Sequence, residues 1–112
     1  MAMATATACT HLSEVRRVAP STTEGCEDCL RIGGRWVHLR ICLACGHVGC
    51  CDSSPNRHAR AHARATDHPI VRSFEPGETW AWCYPDDLLL AGSAVDAAIA
   101  RADREDAAGA GA

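Results

Sequence analysis

Cysteine and histidine dominate the chemistry available to this chain of 112 residues, which carries eight Cys and six His. Most of them fall in tight groups: Cys9-x-His11, Cys26-x-x-Cys29, Cys42-x-x-Cys45, Cys50, His58, His62, His68 and Cys83. A Cys-x-x-Cys turn makes two thiolates converge on one ion, which is why structural zinc sites use it. His58 and His62 stand four apart, so on a helix both imidazoles point the same way. Eleven ligands do not divide by four, but Asp86 follows Cys83 by three residues and offers a carboxylate oxygen as a twelfth. Zinc accepts such an oxygen, and twelve ligands make three closed tetrahedral sites, so three zinc ions are expected and two at least. Closed sites lack the open position that a catalytic zinc keeps for water. The chemistry expected is therefore structural.

Disulfides are the competing use of eight Cys. No charged segment followed by a long apolar stretch opens the chain, so no export signal is read and a reducing, cytoplasmic setting is expected. Pairing the thiols would also leave the His idle. A staple of some kind is needed, because Ala and Cys supply more than half of the 47% hydrophobic content. The larger apolar side chains that remain bury too little surface to hold a small domain by themselves. No apolar run approaches the length of a membrane span. A net charge of −3 argues against a general nucleic-acid binder. Arg57, Arg60 and Arg64 lie on one expected helix and read as its solvated face.

The elements that must position these ligands are expected as follows. Residues 35–41 read as a strand after the turn Gly33-Gly34, and residues 56–66 as a helix with Ser54 as N-cap and Pro55 at its first position. Residues 69–74 and 79–84 read as strands joined by the turn Glu75-Pro76-Gly77-Glu78. Asp86 or Asp87 would cap a last helix over residues 88–104. The fold class is α+β: a small zinc-stabilised domain with a twisted antiparallel sheet, a His-bearing helix and a C-terminal helix. Residues 1–8 are expected to be flexible, residues 9–104 to form the domain, and residues 105–112 to be a disordered Ala/Gly tail. His38 and His47 read as spare imidazoles, and Cys51 as a small buried hydrophobe.

In order and spacing these residues resemble the ubiquitin-protease-type zinc finger. The resemblance rests on Cys9-x-His11, the two Cys-x-x-Cys pairs, the Cys-Gly-x-x-x-Cys of Cys45 to Cys50, the His-x3-His-x5-His-Pro of His58 to Pro69, and Trp82-Cys83-Tyr84. It implies a crossed ligand pattern in a member expected to be free-standing, and the all-Arg, Ala- and Gly-rich composition suggests a GC-rich, bacterial source. Cys26 and Cys29 would share a zinc with Cys50 and His58, Cys42 and Cys45 one with His62 and His68, and Cys9 and His11 one with Cys83. Asp86 stands where three-zinc members carry a further Cys. Spacing alone does not separate His58 from His62; that split comes with the resemblance.

The resemblance also implies a binding role. Trp80, Trp82 and Tyr84 alternate along a strand, so they share one face while Cys83 points to the other. They are read either as core packing against the C-terminal helix or as the wall of a slot for a free Gly-Gly tail, glycine being the residue that lets a bare backbone enter a narrow space. Trp36, Arg40, Trp82 and Tyr84 are the candidate ligand-binding residues. Two departures bear on the partner. Cys51-Asp52 replaces the Gly-Arg that tail-binding members carry, and Arg40 replaces a Trp. A carboxylate at Asp52 would repel a tail, so ubiquitin itself is not carried over, and another protein or peptide C-terminus is the expected partner class. A thiol-redox or zinc sensor, in which clustered Cys release metal on oxidation, is the alternative. No His-Glu-x-x-His motif or Ser/His/Asp order appears, and no enzymatic activity is expected.

Overall fold

The computed structural model describes residues 5–110. Five short strands form an antiparallel sheet in the order β2-β1-β3-β4-β5. They are β1 (Leu39–Cys42), β2 (Val48–Cys50), β3 (Ile70–Ser73), β4 (Ala81–Cys83) and β5 (Leu88–Leu90). Helix α1 (Glu27–Ile32) precedes the sheet, α2 (His58–Thr66) joins β2 to β3, and α3 (Gly92–Ala110) follows β5. A short 3-10 helix, Thr10–Glu14, lies near the start. The expected α+β fold is the one observed. Among the described residues, no helix is long and apolar enough to cross a membrane.

Strand register divides the sheet into two faces with different work. Directly opposed residues share a face, and Ile41 lies opposite Val48 while Ala81 lies opposite Leu90. That face carries Ile70 and Cys83 as well and meets Leu12, Val15, Val95 and Ala98 in one buried cluster. The other face carries Arg40, Gly49, Val71 and Trp82, paired Arg40 to Gly49 and Val71 to Trp82. Helix α2 lies on this second face, and Gly49 is what admits it. A Cβ there would stand 2.7 Å from the Ala59 nitrogen.

Several element bounds differ from the sequence expectation. The first strand begins at Leu39, leaving residues 35–38 as loop, and β2 was not expected at all. Ser54 does not cap α2. Its Oγ accepts the Val37 amide at 2.8 Å, and the residue is buried. The helix starts at His58 after Arg57 in the left-handed region (φ 47), and the His58 amide donates to the Cys50 Sγ at 3.2 Å. A sulfur thus does the capping that a hydroxyl was expected to do.

Leu88, Leu89 and Leu90 form an edge strand instead of the first turn of a helix. The Asp87 amide donates to the Tyr84 carbonyl (3.2 Å) and Asp87 adopts φ 52, which turns the chain back beside β4. An unbroken apolar run of this length fits helix or strand equally. Helix α3 reaches Ala110, so residues 105–110, expected to be disordered, are helical; Ala has the best helix propensity. At the other end, the Ala6 amide donates to Leu89 and its carbonyl accepts from Ala91, tying part of the expected flexible start to β5. Residues 1–4 and 111–112 lie outside the described residues.

Candidate metal centre and adjoining slot

Five chain segments bring the predicted ligands together in three groups, each with its donor atoms within 4.8 Å of one another. They are Cys26, Cys29, Cys50 and His58; Cys42, Cys45, His62 and His68; and Cys9, His11, Cys83 and Asp86. In the first, the N-terminal turn of α1 presents Cys26 and Cys29, the end of β2 presents Cys50, and the first turn of α2 presents His58. The His58 Nδ1 stands 3.3, 3.4 and 3.6 Å from the sulfurs of Cys26, Cys29 and Cys50. The Cys29 and Cys50 sulfurs are 4.0 Å apart. Ordinary zinc bond lengths put tetrahedral edges at about 3.5 Å for sulfur to nitrogen and about 3.8 Å for sulfur to sulfur. The donor set and the edge lengths fit zinc.

The second group is built by the β1–β2 turn, the middle of α2 and the segment just past its end. Cys42 Sγ lies 3.5 Å from His68 Nδ1, and Cys45 Sγ 3.2 Å from His62 Nε2. The third joins the N-terminal segment to the β4–β5 turn. His11 Nδ1 stands 3.4 Å from Cys83 Sγ, 3.7 Å from Cys9 Sγ and 3.1 Å from Asp86 Oδ2. Burial, together with a neighbouring thiol in each case and the Asp86 carboxylate at Cys83, pushes the thiols of Cys26, Cys42 and Cys50 up, and that of Cys83 up to about 12. A thiolate in these places therefore calls for a cation. Burial, with His47 and His68 nearby, also lowers His62 to about 4, which keeps its ring neutral with a lone pair free.

Amide donors surround the first group. The Cys29 amide donates to Cys26 Sγ (3.4 Å), and Asn56 Nδ2 donates to Cys29 Sγ (3.7 Å). Trp36 packs on Cys26, Cys29 and Cys50, and a Cβ on Gly25 would collide with its ring. His47 is the residue that spacing did not single out. Its Nε2 lies 2.9 Å from Asp28 and 3.2 Å from Glu27, both in α1. Its ring stacks on His62 with centroids 4.1 Å apart and planes 8° from parallel. It links the first Cys-x-x-Cys knuckle to a ligand of the second group. Partners behind a ligand tune metal affinity by about 10- to 100-fold. We expect His47→Ala to leave the zinc count unchanged while metal leaves the second group about tenfold faster in a chelator competition; an unaltered release rate would contradict this.

Beside the metal groups, the face of the sheet opposite the main core carries a slot of about 180 Å³. Arg40, Trp80, Trp82 and Tyr84 wall it together with Cys51 and Asp52. Helix α3 packs on the other face, so the aromatic face of this strand is turned away from that helix. Three of the four candidate ligand-binding residues meet here; Trp36 does not, lying over the first metal group. The Arg40 guanidinium sits 4.5 Å over the Trp80 ring and donates to its neighbour's carbonyl, with no carboxylate partner among the described residues. Asp52 has one. Arg60 Nε donates to both its oxygens (3.1 and 3.0 Å), holding the carboxyl below its usual range, and lies over the Tyr84 ring. The repulsion expected from Asp52 is thereby largely offset.

Residues 26–92 match the family described as a zinc finger in ubiquitin hydrolases and other proteins. The chain is also similar to a protein from Rhodopseudomonas palustris known from its solution NMR structure. The two are 52% identical over 83% of this chain and 86% of that one, with a TM-score of 0.70. No curated protein matches the chain.

Proposed function

We propose, from the premise that this chain belongs to the zinc-finger family of ubiquitin hydrolases and other proteins, that it is a module which reads the free C-terminal tail of a protein partner. The family's zinc finger is a protein-interaction domain, not a catalytic one, and this chain is a zinc-binding member of it. Each of the three tetrads would hold one zinc. The metal supplies cross-links that a core of so few large apolar side chains cannot supply.

The observation that carries the tail reading is the Arg40 guanidinium, held by Trp80 at a narrow aromatic slot and lacking a carboxylate partner among the described residues. A terminal carboxylate would complete it through a charge-assisted bond. The slot's small volume favours residues without side chains behind that carboxylate. Tyr84 and Trp82 would flank the backbone. Calorimetric titration with peptides ending in Gly-Gly tests this, comparing free acid with amide. Only the acid should bind, and Arg40→Ala should weaken it by about 10- to 100-fold, the worth of a hydrogen bond to a charged group. Equal binding of acid and amide would rule out carboxylate recognition.

A thiol-redox sensor is the second reading, favoured by one observation: Cys45 is an exposed sulfur within a metal group. Retention of all zinc under mild peroxide would dispose of it.

A further inference from the structure

The three metal groups are not equivalent in what they hold together. Cys26, Cys29 and Cys50 are fully buried, and their group joins α1, β2 and α2. The second group pins α2 across the β1–β2 turn. The third is open to solvent where the first is not, with the Asp86 side chain 40% exposed and His11 27% exposed. It has a carboxylate oxygen in place of a further sulfur, and two of its members, Cys9 and His11, precede the span matched by the family.

The segment that bears Cys9 and His11 is anchored without metal. Leu12 and Val15 are buried in the main core. The Arg16 amide donates to the Leu43 carbonyl (2.9 Å), Arg101 to the Leu12 carbonyl (3.1 Å), and Arg17 pairs with Asp103 at 2.8 Å. Ala6 bridges to β5. Losing a metal from this group would remove one cross-link from a segment held by five other contacts.

The same segment forms part of a second, larger cavity. His11 and Glu14 line a space of about 540 Å³ with Arg60, Arg64, His68 and Tyr84. Tyr84 also walls the slot, so the two cavities adjoin. His11 is at once a metal donor and a wall of the larger cavity.

From these observations we propose that the Cys9, His11, Cys83 and Asp86 group is an exchangeable zinc site, which loads and unloads while the fold stands and whose occupancy sets one wall of the larger cavity. The inference rests on the reading that the tetrads hold zinc, and not on tail binding. It makes the binding face of the module responsive to available zinc. A soft thiolate in place of the hard carboxylate would hold zinc more tightly and make this group a permanent structural site.

The test is graded zinc removal from the fully loaded protein, first with nitrilotriacetate and then with EDTA, following bound zinc, far-UV circular dichroism and the amide NMR spectrum together. One equivalent should leave first with the dichroism unchanged, and the amides that shift should include those of His11, Glu14 and Tyr84. The remaining two should leave only with loss of structure. Asp86→Ala should load two equivalents and stay folded, and Asp86→Cys should require at least about tenfold more chelator to lose the first. Release of all three in one step with unfolding would overturn the proposal. So would loading of two equivalents by the unaltered chain, which would leave the family's inner zinc sites standing, or shifts that spare the cavity.

Discussion

Stripping zinc from the two inner groups is expected to unfold the chain outright. Structural zinc contributes about 10 to 16 kcal/mol to small zinc domains at neutral pH. The whole stability of a domain is about 5 to 15 kcal/mol, so the metal term equals or exceeds the margin. The described core is consistent with this: apart from Ile70, Leu90, Val48 and Val95, the largest fully buried side chains are cysteines of the metal groups. After EDTA the sharp thermal transition should vanish, and added zinc should restore it. Cys26→Ser should act in the same direction in a milder form, because a neutral hydroxyl is a poor substitute for a buried thiolate. A metal-free chain that kept a sharp transition would show the apolar core to be sufficient alone.

Gly49→Ala is expected to have the next largest effect, although it adds only a methyl group and replaces no ligand. The new Cβ would stand 2.7 Å from the Ala59 nitrogen, 2.9 Å from its Cα and 3.1 Å from the His58 carbonyl carbon. All three are helix backbone, which cannot swing aside as a side chain can. Helix α2 must then lift from the sheet, and it carries His58 and His62, one ligand in each inner group. Overpacking alone costs about 1 to 3 kcal/mol, and misplacing two zinc ligands adds to it. We expect a fall in Tm of more than about 10 °C together with weaker zinc retention. A stable variant with unchanged zinc affinity would mean that α2 has slack on this face, and that the close approach is not what sets the ligand positions.

The slot shows where reading the chain by periodicity reached its limit. Alternation placed Trp80, Trp82 and Tyr84 on one face, and the register bears this out. Which side of the sheet that face would take was open, because Leu88 to Leu90 suit a helix or a strand. Their pairing with β4 and the start of α3 at Gly92 put the helix on the far face and left the aromatics to the slot. Trp36 was grouped with Arg40 by nearness in sequence. It lies instead over the first metal group, because the strand starts only at Leu39 and the loop before it turns toward α1.

Residue types and short spacings are properties of local chain geometry, and these the sequence alone determined: zinc as the staple, the two Cys-x-x-Cys knuckles, the His58/His62 helix face and the α+β class. Which cluster meets which across tens of residues depends on strand order, register and the closeness that Gly49 permits between α2 and the sheet. The tertiary structure alone decided the convergence of Arg40 from β1 with Trp82 from β4, two strands on either side of β3. It also decided the pairing of Asp52 with Arg60 and the stacking of His47 on His62. Such contacts leave no periodic trace, because they join residues whose separation along the chain is set by the folds between them and not by the pitch of any one element.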